Sequence, residues 1–185
     1  PENNTVRMFS LVDPERLTRI LARMLDEKEF FSPYGIRALS KAYEHVPFEM
    51  ALDGQSYRVQ YTPGESETRL FGGNSSWRGP VWFPVNYLLV EALQRHGYFL
   101  GPDWKVECPT GSGRALSLLE VSGEIAHRLV SIFVPDGTGR RAVHEDPRYA
   151  SDPLWKDLLL FFEYFHGDNG RGVGASHQTG WTALV

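Results

Sequence analysis

Long connections rich in glycine and aromatic residues, set between helix-length apolar segments, most limit the folds open to this 185-residue chain. Loops longer than about a dozen residues are uncommon in compact domains and usually carry function. The extreme case is FFEYFHGDNGRGVGASHQTGW, residues 161–181, where an apolar run ends in Glu163 and five glycines follow. No strand–helix alternation runs along the chain, so nothing calls for a parallel sheet.

The segment 13–30, DPERLTRILARMLDEKEF, predicts the clearest helix. Asp13 suits the cap and Pro14 the first helical position. Leu17, Ile20, Leu21, Met24 and Leu25 follow an amphipathic stripe. Pro33 and Gly35 make 31–40 read as a turn or loop. Asp53-Gly54 between alternating residues predicts a small hairpin over 46–63, with Tyr57, Val59 and Tyr61 on a half-buried face. Further helices are expected within 72–97, stopping at Gly97, within 115–133 and within 151–165. The segment TGWTALV reads as the start of one more. No linker divides the chain, so residues 1–185 read as a single domain.

A net charge of −4 argues against non-specific nucleic-acid binding, which needs a basic surface. No apolar run approaches the roughly 20 residues of a membrane span, so no membrane partner is expected. Cys108 stands alone and cannot form an internal disulfide. The chain opens PENNTVRMFS, without an initiator Met or a signal-peptide pattern, and closes on GWTALV. These features lead to the expectation of a fragment of a longer, cytoplasmic protein.

Three stretches could carry chemistry. In the first, a helix apolar all round over 154–162 would be buried, and Glu163 would sit at its unfavourable dipole end. Both effects disfavour the charged carboxylate, which suits a proton-transferring group. The alternative is that Glu163 turns to solvent or pairs with Arg171. The second is the glycine-rich loop, whose backbone could approach a ligand closely beside His166, His177, Gln178 and Trp181. It does not open a helix after an apolar strand, so a nucleotide loop is a poor reading; a plain surface loop is the simpler one. The third is SSWRGPVW, where Trp77 and Trp82 bracket Arg78, Gly79 and Pro80. Aromatic faces stack on sugar rings and Arg binds hydroxyls, a mixture that suits a concave site, although a Trp in such a position is more often core. No metal-ligand spacing is present, and no cofactor is called for. Cys108 lacks any nucleophile signature around it.

The stretches SPYGIRALS (32–40), GGNSSWRGPVWFPVNYLLVEAL (72–93) and FFEYFHGDNGRGVGASHQTGWTALV (161–185) together resemble the C-terminal part of the catalytic domain of glycoside hydrolase family 63. That family holds processing α-glucosidases, and the likeness is to its bacterial-type members. The resemblance implies a mainly all-α chain forming part of an (α/α)6 toroid, with the one small β-hairpin added. It implies an inverting hydrolase of terminal α-linked glucose or a related sugar, with an oligosaccharide or small α-glycoside as substrate. Glu163 matches the family's general base, and the general acid would lie outside this chain, in the remaining N-terminal half of the enzyme. Trp77, Arg78, Gly79, Trp82, Asn86, Tyr164, His177, Gln178 and Trp181 would line the sugar pocket. Tyr164 directly follows Glu163, where some relatives place their Tyr one residue later. The alternative reading is a non-catalytic carbohydrate-binding or scaffold module from the same toroid. A half ring would expose a large apolar face, so self-association is expected, and this chain alone is expected to be inactive.

Overall fold

The computed structural model describes residues 8–69 and 77–177. Helix α1 spans Pro14–Met24. Asp13 Oδ1 accepts the Arg16 N–H at 2.8 Å, satisfying one of the helix's unpaired donors. Its stripe buries Leu17 and Leu21, while Ile20 stays half exposed.

The main helical pair is α2, Phe83–Leu100, packed on α3, Leu118–Ser131. Gly97 does not stop α2. A methyl group there would lie 3.2 Å from the Leu119 backbone nitrogen, so glycine permits close approach of the two helices. The stop falls at Gly101, whose φ of +83° lies in the left-handed region. Helix α3 starts later than the expected 115 because Ser117 and Glu120 form a reciprocal capping box. Residues Ala115–Ser117 instead form strand β6, paired antiparallel with β5, Lys105–Glu107.

The segment read as a turn holds strands β1, Phe31–Ser32, and β2, Gly35–Ile36. The expected hairpin is present as β3, Phe48–Leu52, and β4, Gln55–Val59, turning at Asp53 and Gly54 with φ of +50° and +76°. It stands out into solvent rather than presenting a half-buried face. Tyr57 is 46% exposed, and only Tyr61, beyond the strand, is buried.

The expectation of a mainly all-α chain forming part of an (α/α)6 toroid is not met. Among the described residues there are four α-helices, one of them the four-residue α4, Arg148–Ser151. Eight short strands form four two-stranded antiparallel sheets beside them. The physical reason lies in 151–165, which is not a helix beyond Ser151, the last residue of α4. Its backbone makes two successive turns, one where the Trp155 and Lys156 N–H groups donate to the Asp152 carbonyl and one where the Leu158 N–H donates to the Trp155 carbonyl. It then runs extended into strand β7, Tyr164–Phe165, which pairs with β8, Gly172–Val173. Among the described residues the helices are α1, the packed α2–α3 pair and the short α4, with two-stranded hairpins beside them.

One apolar cluster joins these parts. It runs from Leu17 and Leu21 of α1 through Phe83 and Leu93 of α2 and Val121 and Ile125 of α3 to Phe165 of β7. Phe83, Phe133 and Phe165 meet edge-on with ring centroids 5.2–6.0 Å apart, a favoured aromatic geometry.

Candidate functional site

Backbone pairing gathers three stretches that lie far apart in sequence. The Ala38 N–H donates to the Pro80 carbonyl at 3.0 Å, and Arg37 pairs across from Val81. Val81 and Phe165 exchange both backbone hydrogen bonds, at 2.8 and 2.9 Å. The segments 32–40, 77–82 and 161–165 therefore share one seam. Its tightness depends on particular glycines. Gly79 has φ +138°, and a methyl group there would lie 2.5 Å from the Tyr61 ring. A methyl on Gly167 would lie 2.5 Å from the Gly79 carbonyl oxygen.

A fourth segment, 61–68, wraps the seam; the sequence marks only its first three residues, as the end of the expected hairpin. The Thr62 N–H donates to the Arg78 carbonyl at 2.5 Å, and the Gly167 N–H to the Pro63 carbonyl at 2.9 Å. Arg78 is buried and donates to Thr68 Oγ1 at 2.6 Å and to Ser66 Oγ. Burial pulls its guanidinium below the ordinary value.

Behind the glycine-rich loop lies an ionic hub. Asp168 Oδ1 accepts from an Arg37 guanidinium nitrogen at 3.0 Å and from Tyr61 Oη at 3.1 Å, and it pairs with Lys41 Nζ at 3.1 Å. The Arg37 Nε donates to Tyr61 Oη at 3.1 Å. Burial and the Asp168 carboxylate push the Tyr61 phenol up, against the opposing Arg37 charge. Burial raises Asp168, but the hydrogen bonds from Lys41 and Arg37 outweigh it and hold the carboxyl low. Burial lowers His166. No signal in a single sequence marks this hub, because Arg37 and Asp168 are 131 positions apart.

The named site residues divide. Glu163 is half-buried at the entrance to β7, and its N–H donates to the Ala175 carbonyl at 2.9 Å. It does not sit at a helix end, so the dipole argument for it falls. A methyl on Gly174 would lie 2.9 Å from Glu163 Oε2, so the carboxylate rests against the glycine loop. Tyr164 is buried beside it, close enough to bias the Arg78 charge. His177 is exposed and its backbone bridges Phe161, two residues before Glu163. Arg78, Gly79, Glu163, Tyr164 and His177 thus belong to one neighbourhood.

Trp77 and Asn86 face elsewhere. Trp77 is half exposed, stands edge-on to Trp82 at 4.7 Å, and lines an apolar groove with Ile20, Met24, Val85 and Leu89. Asn86 is buried. Its Oδ1 accepts the Ile36 N–H at 2.8 Å, and its Nδ2 donates to the Ile36 and Trp82 carbonyls, so it braces the seam. Gln178 and Trp181 lie outside the described residues. Cys108 is fully buried, and burial pushes its thiol up, which removes the thiolate a nucleophile needs.

Among the described residues no group of three His, Cys, Asp or Glu side chains could hold a metal ion. No described helix is long and apolar enough to cross a membrane. A half-buried carboxylate beside a braced, aromatic-rich seam is compatible with hydrolytic sugar chemistry.

Comparison with known proteins agrees with that chemistry. An uncharacterized protein of Saccharomyces cerevisiae is 58% identical over 96% of this chain. A probable mannosyl-oligosaccharide glucosidase of Schizosaccharomyces pombe is 27% identical over 94% of it. The mannosyl-oligosaccharide glucosidase of Saccharomyces cerevisiae is 26% identical over 92%. The chain spans only 14–17% of the length of these relatives. Residues 5–182 match the mannosylglycerate hydrolase MGH1-like glycoside hydrolase domain. The chain belongs to that glycoside hydrolase family.

Proposed function

We propose that this chain supplies the general-base side of an inverting glycoside hydrolase site that releases terminal α-linked glucose or a related sugar. Glu163 takes a proton from the water that attacks the anomeric carbon. The general acid comes from outside residues 1–185 and protonates the leaving oxygen. Inversion requires the two carboxyl groups to stand about 6.5–9.5 Å apart, leaving room for that water.

The observation that carries this reading is the seam through Arg37, Val81 and Phe165. It holds the W-R-G-P-V-W stretch beside Glu163 by backbone pairing, braced by the Asn86 side chain. A base fixed by backbone pairing loses little entropy when substrate binds, and fixed placement is where much of the rate of such reactions arises. Tyr164 and His177 flank the base. Arg78 and Asn86 act through the backbone they hold. The two relatives named as mannosyl-oligosaccharide glucosidases support glucoside chemistry, and the family's name points equally to mannosides.

The test is sugar release from a panel of α-glucosides and α-mannosides by the full-length protein, compared with its Glu163→Gln variant. Loss of a general base predicts a fall of about a thousandfold in turnover, with binding of the sugar preserved. Turnover within a few-fold of the parent protein would remove Glu163 from the role of base.

A further inference from the structure

Two carboxylates converge on one glycine. Glu163 Oε2 would lie 2.9 Å from a β-carbon on Gly174, and the Gly174 N–H donates to Glu65 Oε1 over a long 3.4 Å. Standard covalent geometry separates those two points on Gly174 by about 2.5 Å, so the two carboxylate oxygens are no more than about 9 Å apart. Two oxygens within that limit can both reach a single pyranose ring with its substituents. Glu65 is exposed, and the bond from Gly174 is too long to use much of its capacity as an acceptor.

Glu65 is also held in place. Ser66, next in the chain, accepts a hydrogen bond from buried Arg78, and Thr68 accepts another. Before it, Gly64 is pressed against His166, since a methyl group there would lie 2.9 Å from that ring, and the Pro63 carbonyl is bound by Gly167. The backbone on both sides of Glu65 is fixed by these contacts, which lowers the reorganisation cost of a carboxylate that stabilises positive charge.

We propose that Glu65 is a second sugar-facing carboxylate of the same site, one that binds the sugar and favours the positive charge that builds at its anomeric centre. The proposal rests on the assignment of Glu163 to the sugar site. Proton donation to the leaving group is not asked of Glu65. The residue types fit the chemistry: glycosidic cleavage passes through an oxocarbenium-like state, and a carboxylate near it attracts that charge while accepting sugar hydroxyls.

The experiment measures binding of cationic and neutral sugars to the full-length protein by calorimetry. The cationic probes are 1-deoxynojirimycin and 1-deoxymannojirimycin, and the neutral ones are glucose and mannose. Glu65→Gln keeps the side chain's shape and an oxygen for Gly174 but removes the charge. The expected result is a weakening of the better iminosugar by roughly 10- to 100-fold, with the matching neutral sugar changed by less than about threefold. Equal weakening of cationic and neutral sugars would overturn the proposal and leave Glu65 a structural brace. Unchanged iminosugar binding in Glu65→Gln, together with loss in Glu163→Gln, would overturn it while sparing the assignment of Glu163. Failure of the parent protein to bind either iminosugar would overturn both.

Discussion

The segments 118–131 and 152–165 are both rich in Leu, Val or Phe, yet one is a helix and the other is not. In α3 the local signals agree with the packing. Ser117 and Glu120 close the N-terminus, Glu124 and Arg128 pair one turn apart at 3.2 Å, and Val121 and Ile125 bury against α2. In 152–165 two turns form, on the Asp152 and Trp155 carbonyls, and then the chain extends. Leu154 is 83% exposed, and Leu158 also faces outward. Phe161, Phe162 and Phe165 reach the core from an extended backbone. Phe165 gains two backbone hydrogen bonds from Val81, and Glu163 gains one from Ala175. Helix propensity differences are a few tenths of a kcal/mol per residue, less than one buried aromatic contributes. Tertiary pairing decided this segment.

The sharpest way to break the contrast is to remove the aromatic that anchors the extended segment. Phe165 is fully buried against Phe83 and Phe133. Phe165→Ala should cost about 4 kcal/mol. Urea unfolding should show it as a large drop in midpoint. A loss below about 1 kcal/mol would mean that β7 is not held by its side chains.

A smaller effect is expected at the hub behind the loop. Asp168→Asn leaves Arg37 buried without its counter-charge and should cost about 2 kcal/mol. The same group predicts a pH dependence. Its folded value lies below the ordinary aspartate value near 3.9. Its contribution is therefore fully present above about pH 4 and is lost as pH falls through the folded value. Asp168→Asn should flatten that acid limb of the stability curve. An acid limb as steep in the variant as in the parent would assign the effect to other carboxylates.

The contrast also explains what could be read in advance. The α1 stripe with its Asp13 cap, the Asp53-Gly54 turn and the body of α2 and α3 are local patterns, and each appears in the structure. Glu163 and the W-R-G-P-V-W stretch stood out through local residue chemistry and through family likeness. The extended course of 161–165, the Asp168 hub and the placement of Glu65 were not. Each depends on a partner more than 80 positions away in sequence: Val81 for Phe165, Arg37 for Asp168, and Gly174 for Glu65. Periodicity within a window of 11–18 residues carries no information at that range. The toroid expectation failed at the same place, because it required the 151–165 segment to be a helix.

The smallest expected effect tests the other half of the contrast, that α3 is a helix for local reasons. Ser117 Oγ accepts the Glu120 N–H at 3.3 Å, and Glu120 Oε2 accepts the Ser117 N–H at 2.8 Å. The bonds from Ser117 hold the Glu120 carboxyl below its usual range. Ser117→Ala removes one arm of this box and should cost about 1 kcal/mol. Most of α3 should survive, because Val121 and Ile125 still bury against α2. Amide hydrogen exchange should therefore speed up over Leu118–Val121 alone. If exchange instead quickened along the whole helix, the cap would be its nucleus, and the absence of such a box at Asp152 would account for the failure of 152–165 to continue as a helix. If exchange did not change at all, packing against α2 would define α3 as fully as Val81 defines β7, and the two segments would differ only in the partner that each one meets.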